Sequence, residues 1–329
     1  MDQSDLADRV IAGDRRALAR AITLIESGRA DHREAALALI ERLSKAERRT
    51  LRIGLSGTPG VGKSTFIEAF GLMLVEEGLS VAVLAVDPSS ARSGGSILGD
   101  KTRMERLSRT PRAYIRPSPS QAALGGVARR TREAALACEA AGFDVVLIET
   151  VGVGQSEIMV AGMVDIFALL LAPAGGDELQ GVKRGIMEIA DLILVNKADG
   201  DLKETAIRTC ADYAGALRLF RHRPEDPPDF PKALTVSAIE ETGLQDVWAE
   251  FRALADWRRA EGHLEARRAR QNRAWFEEEV RRGLLARLDA DRDTREALVA
   301  LGTDVETGLR SPGSAAAELL SRLAPPVQS

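Results

Sequence analysis

The sequence is poor in residues that form disulfides, bind soft metals or stack on ligands. Its 329 residues include two cysteines, three histidines and only 4% aromatic residues. Cys138 and Cys210 each lie in a stretch with helical spacing, so we expect reduced core side chains and no redox pair. The histidines are far apart in sequence and no cysteine-rich motif accompanies them, which argues against a dedicated metal-carrying segment.

Long apolar runs are missing as well. The longest, IFALLLA at residues 166–172, is far too short to cross a bilayer. The first residues, MDQSDLADRVIAGD, lack the basic segment followed by an apolar one that marks a signal peptide. We therefore expect a cytoplasmic protein that has no membrane partner.

Neither sign of charge dominates. The formal net charge is -4, which argues against a nucleic-acid partner bound through a broad basic face. The many arginines after residue 256 are interspersed with glutamates, a pattern typical of a solvated helix face with internal ion pairs.

The chain divides into three parts by the spacing of its apolar residues. Residues 1–45 have helical spacing and are too short to hold a core of their own. Residues 46–256 alternate strand-like and helical segments, and residues 257–329 are again helical. We expect one central domain with two helical extensions. The apolar residues of the last extension fit packing onto the central domain and dimerisation equally well.

Seven short apolar runs in the central part predict β-strands, from LRIGLSG at Leu51 to ALTVSA at Ala233. Several are continuously apolar, as is typical of strands that are covered on both faces. Helices between strands require crossover connections, so we predict an α/β fold with a doubly wound, mostly parallel sheet flanked by helices. The ligand-binding loops of such a sheet lie at the carboxyl ends of its strands.

The sequence GTPGVGKST follows the first predicted strand, precedes a helix-spaced run and satisfies the G-x-x-x-x-G-K-[ST] pattern of a P-loop NTPase. Its glycines allow backbone N–H groups to face phosphate oxygens, and the helix N-terminus favours negative charge. Lys63 would contact the β- and γ-phosphates, and the Ser64 hydroxyl would bind Mg²⁺. The predicted phosphate site consists of Gly57, Thr58, Pro59, Gly60, Val61, Gly62, Lys63, Ser64 and Thr65.

A second motif indicates which base is bound. Asn196, Lys197 and Asp199 follow an apolar strand in the N-K-x-D arrangement of guanine-specific NTPases. The Asp199 carboxylate would accept hydrogen bonds from guanine N1–H and N2–H₂, and adenine lacks these donors. Ser237 and Ala238 follow the next strand, where a backbone N–H would reach guanine O6. We therefore predict GTP as the substrate, with GDP bound after hydrolysis.

At three segments the chain resembles a known family. VDPSSARSGGSILGDKTRM at 86–104, ETVGVGQSE at 149–157 and GGDELQGVKRGIMEIADLILVNKADGD at 175–201 are similar to metallochaperone-type P-loop GTPases. Within that group they resemble the MeaB/ArgK-type chaperones of adenosylcobalamin-dependent methylmalonyl-CoA mutase, over nearly the whole chain. One departure lies at residues 91–93, Ala-Arg-Ser, where the family usually has proline and threonine.

The resemblance implies a metal site built from oxygen ligands. Glu149 takes the place of the carboxylate that ends the Walker-B strand, in an ExxG motif instead of DxxG. Ser64, Asp87, Asp100 and Glu149 are then the expected groups around Mg²⁺. The alternative role of Asp87 is a helix N-cap or a turn residue.

The resemblance also implies a catalytic set of Lys63, Asp100, Glu149 and Gln155. Val153 occupies the position where most GTPases have a glutamine that orients the attacking water, and Gln155 is a poor geometric substitute. We expect slow intrinsic hydrolysis that a partner stimulates by reshaping this loop.

A third switch is implied at residues 175–185. Its polar residues Asp177, Glu178, Gln180 and Lys183 are flanked by glycines, so they would move with the nucleotide state and contact the partner. A simple surface loop that leads into the following helix explains the same residues equally well.

The expected function is a homodimeric GTPase chaperone of the mutase that gates cofactor loading and protects or reactivates the enzyme. One alternative is a metal-insertion GTPase for another metalloenzyme. The other is a kinase, for which the sequence supplies no catalytic base beyond the switch carboxylates.

Overall fold

The computed structural model describes residues 3–46, 49–86, 104–117, 124–150, 156–173 and 184–323. The chain forms two compact units, Met1–Arg267 and Arg268–Ser329. Among the described residues, no helix combines the length and the apolar composition that crossing a bilayer requires.

A parallel sheet forms the core of the first unit. In the described residues it has seven strands in the order β3-β2-β4-β1-β5-β6-β7, and every pairing is parallel. Each strand matches one of the apolar runs, so the predicted α/β fold is confirmed. Most strands are buried along their whole length because helices cover both faces of the sheet. The strands are β1 (Leu51–Ser56), β2 (Val81–Val86), β3 (Ala113–Arg116), β4 (Val145–Thr150), β5 (Ile166–Leu171), β6 (Leu192–Val195) and β7 (Lys232–Thr235).

Helices precede, connect and follow the strands. Three lie before the sheet: α1 (Gln3–Ile11), α2 (Arg15–Glu26) and α3 (Ala30–Leu43). Those between strands are α4 (Lys63–Glu76), α5 (Glu105–Ser108), α6 (Leu124–Ala140), α7 (Ser156–Ala161), α8 (Arg184–Ile189) and α9 (Lys203–Leu217). The last are α10 (Leu244–Ala260), α11 (His263–Ala290), α12 (Arg292–Glu306) and α13 (Pro312–Leu323).

The amino-terminal helices cover one edge of the sheet. The apolar stripe of α2, including Leu18 and Ile22, is buried. Arg15 donates to the carbonyl oxygens of Pro111, at 2.7 Å, and of Ala113 in the edge strand β3. These contacts satisfy backbone acceptors that an edge strand would otherwise expose.

A buried ionic network lies at the amino-terminal ends of strands β5 and β6. Arg258, 1% exposed, pairs with the fully buried Asp191 at 2.6 Å and with Asp226, and also donates to the carbonyl oxygen of Asp165 at 2.6 Å. Arg223 bridges the same two carboxylates at 2.9 and 2.7 Å. The sequence RHRPEDPPDFP predicts only a rigid surface loop, yet its Asp226 is 1% exposed, because arginines from two segments compensate its charge.

The helical stretch after residue 256 is not one continuous helix. Gly262, with φ of 72°, separates α10 from α11. In the second unit α12 and α13 pack through a small cluster that includes Leu301 and Leu319. Several large apolar side chains of α11 are exposed: Phe276, Val280, Leu284 and Leu285.

Candidate functional site

The loop between β1 and α4 has the backbone of a phosphate cradle. Gly57, Gly60 and Gly62 all have positive φ, at 154°, 86° and 88°. A Cβ on Gly57 would collide with the carbonyl oxygen of Leu170, and one on Gly62 would lie 2.7 Å from Asn196 Nδ2. Glycine is therefore required at both ends of the loop by conformation and by space.

Lys63 begins α4 and is largely buried. Its Nζ donates to the carbonyl oxygens of Gly57 at 2.7 Å and Thr58 at 3.2 Å, so the ammonium group lies across the loop. Because α4 starts at this residue, its unpaired N–H groups and the lysine converge on the same space. This arrangement has the donors and the positive charge that a phosphate group requires.

Glu149 and Ser64 bring two oxygen atoms together beside the cradle. Glu149 lies in β4, next to β1, and is 4% exposed. The Ser64 hydroxyl donates to its Oε1 at 3.3 Å. The neighbouring Thr150 and Ser56 hydroxyl groups are 2.9 Å apart and buried, which ties the ends of β4 and β1. A carboxylate and a hydroxyl so placed are the hard oxygen ligands that Mg²⁺ prefers.

Asn196 joins the phosphate loop to the loop after β7. Its amide donates to the carbonyl oxygen of Val61 at 2.9 Å, and its Oδ1 accepts the N–H of Ala238 at 3.1 Å. Asn196 is 1% exposed, so these bonds are shielded from water. One side chain therefore fixes the distance between the phosphate-binding and the predicted base-binding segments.

The predicted base-binding residues form a second connected group. The Ser237 hydroxyl donates to Asp199 Oδ2 and accepts the N–H of Glu240 at 3.0 Å. Lys197 has a φ of 61°, a left-handed conformation that is uncommon for lysine. Gly243 closes the turn at a φ of 76°, where a Cβ would lie 2.6 Å from the Thr235 carbonyl oxygen. The Asp199 carboxylate is thus held in place at the carboxyl edge of the sheet.

The structure brings together the predicted residues of the phosphate loop, Glu149 and the two base-binding segments. The remaining predicted site residues lie outside the described part of the chain: Asp87, Asp100, Gln155, Asp177, Glu178, Gln180 and Lys183. Val153 lies outside it as well.

The sequence patterns gave no sign of the anchor on which α5 rests. Glu68, one helical turn after the P-loop, accepts the N–H groups of Arg106 at 2.7 Å and Leu107 at 3.4 Å. Gly71 lies against Leu107, and a Cβ there would be 2.6 Å from its Cδ2. The sequence feature that corresponds to this contact is the E-x-x-G spacing from Glu68 to Gly71. The contact fixes α5 onto the P-loop helix α4.

A P-loop on the central strand of a parallel sheet, a carboxylate at the end of the next strand and an N-K-x-D loop define a P-loop GTPase. The family model described as "Methylmalonyl Co-A mutase-associated GTPase MeaB" matches residues 18–293. The chain belongs to this family and is a GTPase, which confirms the family and the activity that the sequence predicts.

Relatives and solved structures agree with this assignment. The chain is 49% identical to the mouse protein "Methylmalonic aciduria type A homolog, mitochondrial", over 94% of this chain and 77% of that one. It is 47% identical to "GTPase ArgK" of Escherichia coli, over 92% of this chain and 93% of that one. A crystal structure named "LAO/AO transport system kinase" has a TM-score of 0.77 and 37% identity, covering 98% of this chain and 97% of its own.

Proposed function

We propose that this GTPase is a cytoplasmic chaperone of adenosylcobalamin-dependent methylmalonyl-CoA mutase. It gates the loading of the cofactor into the mutase and protects or reactivates that enzyme. The observation that carries the proposal is the match of residues 18–293 to a family described as mutase-associated. The name of the mouse relative, which refers to methylmalonic aciduria, supports the same partner.

Nucleotide binding follows from the phosphate cradle. The N–H groups of residues 57–65 and the Lys63 ammonium group bind the β- and γ-phosphates. Ser64 and Glu149 hold Mg²⁺, and Asp87 and Asp100 complete its surroundings. The ion supplies positive charge that offsets charge on the phosphate oxygens.

Base recognition follows from the group around Asp199. Its carboxylate accepts from guanine N1–H and N2–H₂, and the Ser237 hydroxyl orients it. The Lys197 stem lies over the base plane. The N–H groups of Ser237 and Ala238 are bonded to the Thr242 carbonyl oxygen and to Asn196, so these two residues contribute by fixing the loop beside guanine O6.

Hydrolysis is slow in the isolated protein and faster with the partner. Val153 supplies no hydrogen bond to water, and Gln155 serves only when the partner reshapes the loop. Asp177, Glu178, Gln180 and Lys183 form the surface that senses the nucleotide and contacts the partner.

The protein works as a homodimer. Exposed Phe276, Val280 and Leu284 recur at four-residue intervals, and Leu285 is adjacent, which places them along one side of α11. An apolar stripe of this kind is the feature of the second unit that supports self-association.

A kinase is the second candidate, because the solved structure at 37% identity carries that name. It would transfer the γ-phosphoryl group to an acceptor hydroxyl instead of to water. Incubation with γ-labelled GTP separates the two candidates. Label found only in inorganic phosphate supports the GTPase without a kinase activity.

The test of the proposed function measures GTP and ATP hydrolysis by the purified chain, alone and with methylmalonyl-CoA mutase. We expect slow turnover of GTP, little turnover of ATP and a faster GTP rate with the mutase. A GTP rate that the mutase leaves unchanged, together with no complex on a sizing column, would contradict the partner but leave the GTPase intact.

A further inference from the structure

A groove of about 460 Å³ opens beside the edge strand β7, away from the nucleotide site. It is lined by the end of α9 and the loop after it, within residues 214–222, and by residues 228–233. We call it the β7-edge groove. Its walls include the buried apolar side chains of Leu217 and Phe230. The volume is within the range of protein sites that bind small molecules or single side chains.

In the part of the chain that the structure describes, β7 pairs through one of its two sides, with β6. Lys232 N–H donates to the Asp191 carbonyl oxygen at 3.3 Å, and Val236 N–H donates to Val195 at 2.9 Å, so alternate residues of β7 face β6. By this alternation the N–H and C=O groups of Ala233 and Thr235 point to the open edge. The turn at Gly243 approaches the Thr235 carbonyl oxygen, whereas Ala233 lines the groove.

The rim of the groove carries uncompensated positive charge. Arg218 lines it and is exposed, and its side chain forms no hydrogen bond or ion pair within the described ranges. Arg221, also exposed, is likewise unpaired in this part of the chain. The third cation, Lys232, is neutralised by Asp229 at 2.6 Å and Glu250 at 2.7 Å. Among the described residues that line the groove, Asp229 is the one acid and is paired with Lys232, so the charge of the rim favours an anion.

Apolar surface continues beyond the rim. Leu219, which directly follows Arg218 in the loop after α9, is 87% exposed. A ligand long enough to reach from Ala233 past Arg218 would cover this side chain. A small organic acid would fill the groove without using either the strand edge or Leu219.

We propose that the β7-edge groove binds an extended acidic peptide segment of a partner protein. The peptide pairs with the N–H and C=O of Ala233, places an apolar side chain against Leu217 and Phe230, and directs a carboxylate to Arg218. This is addition of a strand to a sheet edge, in which backbone bonds supply affinity and the pocket and charge supply specificity. The short strand and Pro231 limit the pairing to one or two residues.

The test uses the full-length protein, deuterated and ¹⁵N-labelled, and two capped heptapeptides. The probe alternates glutamate with valine, and the control replaces every glutamate with lysine. We expect the probe alone to shift the Ala233 amide resonance and to slow its hydrogen exchange, because that N–H becomes bonded. Slowed exchange is specific for backbone pairing and is not expected from charge alone.

A charge reversal tests the role of the cation. Arg218→Glu is expected to weaken binding of the probe at least about tenfold, the effect of losing one charge-assisted hydrogen bond. Arg218→Ala is expected to show a smaller loss. The matched control is Arg208→Glu, at an exposed arginine of α9, the helix that Arg218 directly follows. Arg208 does not line the groove, so this change should leave the affinity for the probe unchanged.

Three results would overturn the proposal. The first is that both peptides shift the Ala233 amide resonance equally, and the second is that millimolar probe does not shift it. The third is that glutarate reproduces the shift while the hydrogen exchange of the Ala233 amide stays fast. The last result would assign the groove to small organic acids. The affinity for GDP, measured on each variant, confirms folding independently of the groove.

Discussion

Asp199→Asn tests the base-reading group directly. The carboxylate is oriented by the Ser237 hydroxyl, so it meets guanine without a further ordering cost. It accepts from two guanine donors, and a hydrogen bond to a charged group contributes about 1.5–3 kcal/mol. The substitution removes both hydrogen bonds and directs an asparagine N–H₂ group at the guanine donors. We expect it to weaken GDP binding by on the order of 10²–10⁴-fold.

The same substitution is expected to improve binding of xanthosine diphosphate. Xanthine has a carbonyl group at C2 where guanine has an amino group, and the asparagine amide donates to it. Calorimetric titration with both nucleotides measures this reversal. Asp201→Asn is the matched control, since Asp201 is exposed two residues further on. An unchanged affinity for GDP, or equal losses for both nucleotides, would refute the assignment of Asp199.

Three further predictions concern the framework of the site. Arg258→Met should lower the free energy of unfolding by about 3–5 kcal/mol in urea denaturation, because it leaves Arg223 alone to neutralise two buried carboxylates, whereas Arg259→Met, at a more exposed position, should change it little. Gly62→Ala should abolish measurable GDP binding, because its φ of 88° is strained for alanine and its Cβ would displace Asn196; retained affinity in calorimetry would contradict this. Burial raises the pKa of Asp191, but the charges of Arg258 and neighbouring arginines outweigh it and lower that pKa from 3.8 to about 2. The resulting stability is complete above pH 3.8 and is lost as the pH falls toward about 2, so urea midpoints that stay flat across this window would contradict the ion pairing.

The fold and the phosphate site could be predicted from the sequence because each rests on local signals. Continuous apolar runs gave all seven strands of the described sheet, and the P-loop spacing placed Lys63 and Ser64. Both depend on residues within one segment, where periodicity and glycine spacing act.

The contacts that connect segments could not be predicted in this way. The N-K-x-D motif predicts that Asn196 ties its loop to the P-loop, and its bond to Val61 agrees with this, but the motif does not predict the second bond, to Ala238, 42 positions away. The pairing of Arg258 with Asp226 likewise depends on how α10 crosses the sheet. A charged residue in a proline-rich loop looks the same in sequence whether it is solvated or buried against an arginine.

The acidic residues of the sheet divide by which end of a strand they occupy. Asp165 and Asp191 directly precede β5 and β6, and their carboxylates accept the backbone N–H groups of Arg52 and Phe167 at 2.9 and 2.8 Å. There they bond the starts of neighbouring strands and are fully buried. Glu149, by contrast, lies at the carboxyl end of its strand.

This division has a structural cause. In a parallel sheet with helices on both faces, the amino ends of the strands meet the carboxyl ends of the helices, where Arg258 near the end of α10 is available to neutralise a buried acid. The carboxyl ends meet helix amino ends, whose N–H groups are directed at anions. Carboxylates there are placed to meet a cation or a donor on a ligand. Glu149 lies at the carboxyl end of β4, and Asp199 follows β6. Their position in the topology separates them from Asp165 and Asp191, which are also carboxylates but hold the starts of the strands together.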